Sequence, residues 1–155
     1  LIDDLLTLAR EGNSVGELES VRLDSLVEGC WRNVDTEEAT IRIEAERTIR
    51  ADRSRLQQLL ENLFRNAVEH SGKNVSITVG VFDTGFYIED DGQGIPPERR
   101  DKVFDIGYST ADEGTGFGLA IVRRIAEAHG WNISAIEAST GGARFEITGV
   151  DTVSQ

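Results

Sequence analysis

The sequence has few of the residues that build cross-links or metal clusters. It contains one cysteine, Cys30, and two histidines, which excludes an internal disulfide framework and a zinc cluster. No apolar run approaches the roughly 18 residues that indicate a membrane-spanning helix. The N-terminus also lacks the order of basic, apolar and small residues that marks a signal peptide. These absences favour a soluble, cytoplasmic segment and leave open a membrane anchor elsewhere in a longer protein.

Positive charge is scarce as well. The chain has 16 basic and 28 acidic residues, for a net charge of −12 at pH 7, and its only lysines are Lys73 and Lys102. An acidic surface repels nucleic acid and anionic lipid, so we expect neither nucleic acid nor a membrane as a partner of this segment. Acidity with little lysine is typical of salt-adapted proteins, but an ordinary acidic domain can have the same composition.

The composition divides the 155 residues into four regions. Residues 1–12 have leucine and isoleucine at helical spacing, which predicts the end of a longer helix that Gly12 terminates. Residues 13–20 are polar and contain glycine, which predicts a linker. Residues 21–150 are long enough to bury a core and form one domain, and residues 151–155 are expected to be a free tail.

Helical and alternating patterns are mixed in this domain. Three helices are predicted, over 24–34 with Asp24 as the N-cap, over 54–70, and over 117–129. Alternation and turn residues predict strands over 21–23, 40–46, 48–52, 75–82, 86–88, 131–139 and 143–150. Gly85 is expected to take a positive φ in a hairpin turn. The order predicts an α+β two-layer sandwich, with one mixed, mostly antiparallel sheet of about five strands covered by about three helices.

The stretch "DEGTGFGLAIVRRIAEAHG" (112–130) has three glycines directly before a predicted helix. Gly114, Gly116 and Gly118 leave backbone N–H groups unshielded beside the unpaired N–H groups of the helix start, which favours an anion site. A flexible loop is equally compatible with this stretch alone. No Lys-Ser/Thr pair follows the glycines, so the stretch is not a P-loop, and no strand runs straight into it, so it is not a dinucleotide fingerprint.

The stretch "EDDGQGIP" (89–96) has a carboxylate at a predicted strand end, Asp90, followed by Gly92 and Gly94. A carboxylate accepts hydrogen bonds from an exocyclic amine such as that of adenine. Glycines let the backbone approach a flat ligand closely. A plain turn rich in turn-forming residues is the alternative.

The stretch "LLENLFRNAVEHS" (59–71) places two asparagines on one face of a predicted helix. Asn62 and Asn66 are four residues apart, and His70 extends the same row. Asparagine is a poor helix former, so two on one face require a reason. An amide oxygen suits Mg²⁺, which keeps several waters and also takes substrate phosphates. A solvated polar face is the alternative.

In this order the three stretches resemble the N, G1 and G2 boxes of the histidine kinase catalytic and ATP-binding domain. This domain has the Bergerat fold, which gyrase and the heat-shock chaperone ATPase share. Residues 102–110, "KVFDIGYST", resemble the F box through Phe104 and Tyr108. The resemblance covers about residues 18–149, and residues 1–12 resemble the end of the dimerisation helix that precedes this domain in such kinases.

The resemblance implies roles for individual residues. Asp90 would bind the adenine amino group, Asn66 would coordinate Mg²⁺ with Asn62 in support, and His70 would line the nucleotide site. Residues 105–115 would form a mobile lid, and His129 is interpreted as structural. Asn62 and Asn66 are the candidate catalytic residues. The implied ATP-binding residues are Asn62, Asn66, His70, Asp90, Gly92, Gly94, Ile95, Tyr108, Gly114, Thr115, Gly116, Phe117, Gly118 and Leu119.

The chain departs from the family pattern at two positions. Glu69 stands where the family often has a basic residue that reaches toward phosphate, and Gly107 stands where the F box usually has a second aromatic residue. Lys102 is a candidate for the missing basic contact to the γ-phosphate. These departures bear on the catalytic rate more than on ATP binding.

The N box favours phosphoryl transfer over hydrolysis. ATP hydrolases of the family have a general-base glutamate at the position of Asn62, and an amide cannot take a proton. Glu61 points about 100° away on an ideal helix. The resemblance therefore implies an ATP- and Mg²⁺-dependent protein-histidine kinase domain. Two alternatives stay open, a nucleotide-binding interaction module without phosphotransfer and an anti-sigma-type serine kinase.

The resemblance also implies partners outside these residues. The acceptor histidine would lie on an upstream dimerisation helix, of the same or a neighbouring chain, that this sequence does not contain. The phosphoryl group would then pass to the receiver domain of a response regulator in a two-component system. The full-length protein would be a homodimer.

Overall fold

The computed structural model describes residues 16–34, 38–71, 74–92, 94–95, 97–100, 103–104, 118–139 and 141–152. The helix predicted over 1–12, the start of the linker and the whole proposed lid over 105–115 lie outside these ranges. Within them, no helix has both the length and the apolar character needed to cross a membrane.

The secondary structure follows the predicted order closely. The strands are β1 Glu19–Arg22, β2 Thr40–Glu44, β3 Thr48–Ala51, β4 Ser76–Phe82, β5 Gly85–Asp90, β6 Asn132–Glu137 and β7 Ala143–Thr148. The helices are α1 Leu23–Asn33, α2 Arg53–Ser71 and α3 Gly118–Ala128, with a short 3₁₀ turn at Pro97–Arg99.

Five strands form the main sheet, in the order β2-β4-β5-β7-β6. The β2–β4 pair is parallel and the other three pairs are antiparallel. The helices pack against one another and against this sheet, α1 on β2, α2 on β5 and α3 on β6. The predicted α+β sandwich, with a mixed and mostly antiparallel five-stranded sheet and three helices, is confirmed.

A second, two-stranded sheet was not predicted. It pairs β1 with β3 in antiparallel register, with Val21 opposite Ile49, and both side chains are buried. On the other side of β3, Ile49 forms an antiparallel bridge with Thr152, and the Arg50 N–H donates to the carbonyl oxygen of Asp151. The expectation of a free tail is therefore wrong for residues 151 and 152, which are held against β3.

The apolar stripe of α2 is the centre of the core. Leu56, Leu59, Leu60, Leu63 and Ala67 are all buried, as their helical spacing predicts. The stripe fixes the rotation of α2, and the opposite side of the helix is left for polar side chains.

Two local predictions were wrong. Asp24 does not cap α1, because the helix begins one residue before it and Arg22 occupies the cap position; instead Asp24 lies in the first turn and pairs with the Arg22 guanidinium at 2.9 Å. Gly85 does not take a positive φ. It is needed because β7 runs so close that a β-carbon would lie 2.8 Å from the carbonyl carbon of Ile147.

Candidate functional site

Asp90 is the last residue of β5. Among the described residues it is the charged residue that is buried, with 6% of its surface exposed. Its Oδ1 accepts the N–H of Gly92 at 2.9 Å and the N–H of Ala143 at 3.2 Å. A buried carboxylate is stable only when such donors compensate its lost hydration. The sequence placed Asp90 correctly at the end of a strand, and the two amides fix the orientation of its carboxylate.

The β6–β7 turn supports Asp90, a contact that was not predicted from the sequence. A β-carbon on Gly142 would lie 2.6 Å from Asp90 Oδ1, so only glycine lets the turn come this close. Gly94 has φ of +78°, and its added β-carbon would lie 2.5 Å from the Gly141 carbonyl oxygen. The adjacent glycines of "STGGA" were the available signal, because one glycine suffices for an ordinary tight turn.

Asn62 and Asn66 lie on one half-buried face of α2. The Oδ1 of Asn62 accepts a hydrogen bond from Arg65 Nη1 at 2.9 Å. This contact was also missed, although the three-residue spacing allows it. The contact brings an exposed guanidinium to the asparagine row. Because it occupies the amide oxygen of Asn62, Asn66 is the better candidate ligand for Mg²⁺.

Glu61 is turned away from this row, as its place on the helix predicts. Its Oε2 accepts hydrogen bonds from Asn33 Nδ2 at 2.9 Å and from Gln57 Nε2 at 3.0 Å. Burial, with a smaller contribution from Glu61, raises the pKa of the Cys30 thiol on α1 to about 12. Glu61 therefore faces α1, and its proton-accepting oxygens do not lie beside Asn62.

The other described candidate residues lie at the start of α3 and in the segment after β5. Gly118 is the first residue of α3, directly after the predicted phosphate loop, and Leu119 is half-buried against the core. Ile95 also packs against the core, and its carbonyl oxygen accepts Arg100 Nε at 3.0 Å. Phe104 of the resembling F box is buried, with its ring edge-to-face on Phe145 at 6.0 Å.

Several predicted site residues remain predictions. Tyr108, Gly114, Thr115, Gly116 and Phe117 lie outside the described residues, as do Lys102 and Gly107. His70 belongs to α2, but its side chain is not described. Glu69, the acidic residue at the position where the family often has a basic one, lies exposed on the surface of α2.

The family is shown by comparison with known proteins. The family model described as "Histidine kinase-, DNA gyrase B-, and HSP90-like ATPase" matches residues 51–151, which is more than half of the chain. The chain belongs to this family. Within it, the similar proteins identify this chain as an ATP-binding catalytic domain of the histidine kinase type.

Two relatives illustrate the similarity. The sensor histidine kinase ZraS of Klebsiella oxytoca is 34% identical over 157 residues, covering 94% of this chain and 34% of that protein. The methanogenesis regulatory histidine kinase FilI of Methanothrix harundinacea is 34% identical over 146 residues, covering 86% of this chain and 16% of that protein. The chain thus spans about a third or less of the length of these relatives.

Solved structures agree with the fold. Full-length ShkA in complex with AMPPNP has a TM-score of 0.76 and 28% identity, covering 99% of this chain and 36% of that one. The catalytic domain of the histidine kinase ThkA has a TM-score of 0.69 and 27% identity, covering 88% of this chain and 96% of that one. The present chain therefore has the size and fold of a histidine kinase catalytic domain that was solved on its own.

Proposed function

We propose that this domain binds ATP with Mg²⁺ and transfers the γ-phosphoryl group to a histidine on a helix outside this chain. The observation that carries ATP binding is the buried Asp90 carboxylate, held by the backbone N–H groups of Gly92 and Ala143. A carboxylate only accepts hydrogen bonds, so it suits the exocyclic amine of adenine. Gly92, Gly94 and Ile95 belong to the same segment and would pack beside the base.

The asparagine face of α2 fits magnesium. Asn66 offers an amide oxygen on a half-buried helix face, and a single protein oxygen is enough for an ion that keeps waters and takes phosphate oxygens. The oxygen of Asn62 accepts a hydrogen bond from Arg65, so Asn62 would help to orient Asn66 and would not itself coordinate the ion. When bound, the ion would neutralise phosphate charge. Gly118 and Leu119 at the start of α3 would offer backbone N–H groups to the phosphates, as would the undescribed Gly114, Thr115, Gly116 and Phe117.

The position of Glu61 favours transfer over hydrolysis. Activating water requires a base within hydrogen-bond reach of that water. Glu61 is held by Asn33 and Gln57, and the amide of Asn62 cannot act as a base. Phosphoryl transfer depends mainly on positioning and charge stabilisation, and a supplied imidazole would be the nucleophile. We also propose that the longer protein forms a homodimer and that its partner is the receiver domain of a response regulator.

The experiment supplies the missing nucleophile in trans. The chain is incubated with radiolabelled ATP, Mg²⁺ and a separately produced dimerisation helix that carries a histidine. We expect label on that helix that is lost in acid and stable in base, as for phosphohistidine. Acid-stable label on a serine substrate would support the anti-sigma-type serine kinase instead. ATP binding without any transfer would support the interaction module.

A further inference from the structure

Arg65 lies beside the asparagines of α2 and keeps its positive charge. Its Nη1 donates to Asn62 Oδ1 at 2.9 Å, which holds the exposed side chain at this face of the helix. The amide is neutral, and the ion pairs of the described residues do not include Arg65. A guanidinium has five N–H donors, and the contact with Asn62 uses one of them. Arg65 therefore offers positive charge and further donors next to Asn62 and Asn66.

Arginines elsewhere in the described chain are largely engaged with carboxylates. Those in ion pairs are Arg22, Arg32, Arg42, Arg53, Arg123 and Arg144. On α2 itself, Arg53 belongs to this set, and Arg55 lies about 15 Å from Arg65 along the helix, at about 1.5 Å per residue. Among the arginines of α2, Arg65 is thus the one next to the asparagines.

Glu69 gives the same side of α2 a negative charge. It is exposed and lies four residues after Arg65, so the two side chains are neighbours on the helix surface. An acid after a base is the less favourable order for an ion pair at this spacing, and none joins these two described residues. A carboxylate here repels phosphate, as does the net charge of −12 of the whole chain. A triphosphate that binds this face therefore needs a protein cation as well as magnesium.

We infer that Arg65 binds the phosphates of the nucleotide and supplies the positive charge that residue 69 does not. The inference rests on the proposed binding of ATP and Mg²⁺ at the asparagine face. Asn66 directly follows Arg65, and an ion bound to Asn66 would bring phosphate oxygens to this face of α2. Arginine suits the role because its planar fork donates two parallel hydrogen bonds to a phosphate. Because Asn62 already orders this long side chain, less conformational entropy is lost when the phosphate binds.

Ligands with and without phosphate test this role. In calorimetric titrations of the full chain with Mg²⁺, Arg65→Gln should bind ATP about tenfold more weakly, because a hydrogen bond to a charged acceptor is lost. Binding of adenosine, which has no phosphate, should not change. Urea unfolding should match that of the parent chain, since the Arg65 side chain is exposed.

Arg32→Gln is the matched control. It removes the same charge from an exposed position on α1, where Arg32 lies 3.9 Å from Glu28. Its ATP affinity should equal that of the parent chain. Parental ATP affinity in Arg65→Gln, or an equal loss in both variants, would overturn the inference and leave the proposed function standing. A parent chain that binds no ATP would overturn the proposed function and the inference together.

A second comparison separates a phosphate contact from an effect that acts only through Asn62. Arg65→Gln is made in the parent chain and in Asn62→Ala, which lacks the amide that Arg65 holds. A direct contact predicts about the same tenfold loss of ATP affinity in both backgrounds. Adding Glu69→Lys to Arg65→Gln should restore most of that affinity, because it returns a cation to this side of α2 without the hydrogen bond to Asn62. A loss that disappears in the Asn62→Ala background would show that Arg65 only positions Asn62 and would overturn the inference.

Discussion

Gly142 lies against Asp90 so closely that a β-carbon on the glycine would stand 2.6 Å from the carboxylate oxygen, and closer still to the Asp90 carbonyl. The Gly142→Ala change should therefore push the β6–β7 turn away from Asp90. Overpacking of this kind costs about 1–3 kcal/mol of unfolding free energy. ATP affinity should fall as well, because Ala143 would no longer donate to Asp90. Urea unfolding and calorimetric titration with ATP and Mg²⁺ measure the two effects.

Gly29 provides the matched control. It lies inside α1 with nothing within 4 Å of an added β-carbon. Gly29→Ala should raise the unfolding free energy by about 0.5–1 kcal/mol, the usual gain inside a helix, and leave ATP affinity unchanged. If Gly142→Ala bound ATP as tightly as the parent chain, the turn would have no part in the site.

Asp90→Asn should weaken ATP binding at least about tenfold, which corresponds to about 1.4 kcal/mol. The amide oxygen can still accept from Gly92 and Ala143, so the fold should persist, but a donor replaces the second acceptor oxygen. Asp91→Asn makes the same change in charge next door, where the carboxylate accepts the Ser76 N–H at 2.8 Å. Calorimetry should find that Asp91→Asn binds ATP as tightly as the parent chain, whereas Asp90→Asn does not. An equal loss of ATP affinity in both variants would contradict adenine recognition by Asp90.

Asn66→Ala should reduce the gain in ATP affinity that Mg²⁺ provides by about tenfold, about 1.4 kcal/mol, because the ion loses its protein oxygen. The affinity measured in EDTA should change little. Asn33→Ala is the control, since that amide contacts Glu61 on the other side of α2. Titrations with and without Mg²⁺ decide the matter, and an undiminished magnesium effect in Asn66→Ala would show that Asn66 is not a ligand.

Stability should decline in mild acid because of His129. Burial holds its pKa below the ordinary value of 6.5, against opposing contributions from the Ile125 carbonyl and Asp52. Below pH 6.5 the unfolded chain therefore binds the proton more readily than the folded chain. The stability that neutral His129 contributes is complete above pH 6.5 and is lost as the pH falls toward the folded-state pKa. Urea unfolding at about pH 7.5 and pH 5.5 should show the loss, and His129→Gln should reduce the slope.

The chain alone should bind ATP without labelling itself. Its two histidines are His70 and His129, and both ring nitrogens of His129 are engaged, with Ile125 and with Asp52. His70 lies near the end of α2, on the asparagine row rather than on a separate helix. Incubation with radiolabelled ATP, followed by acid and base treatment, is the measurement. Acid-labile label on this chain without an added helix would mean that the acceptor has been assigned wrongly.

The sequence predicted the elements better than their long-range partners. The helix expected over 54–70 is observed at Arg53–Ser71, because its leucine stripe has a clear helical period. The β1–β3 pair was missed because it joins residues about 30 positions apart, and periodicity within one segment says nothing about its partner. Asp24 was misplaced because Asp is favoured both at the cap and in the first turn.

The site shows the same limit. Asp90 could be found because a carboxylate ends an alternating strand. Its partner Ala143 lies 53 residues further on, and its N–H is visible only when β5 and β7 are paired. The Asn62–Arg65 contact is local and could have been predicted, but several rotamers of a long side chain satisfy the same spacing.

The strand β3 has a consequence for the engineering of this domain. It has β1 on one side and Asp151 and Thr152 on the other, so β1 and residues 151–152 lie about two strand spacings apart, about 10 Å across the sheet. A short glycine linker can bridge that gap together with the few residues of offset along the strands. The domain can therefore be circularly permuted by joining residue 152 to the start of β1 and opening a surface turn elsewhere.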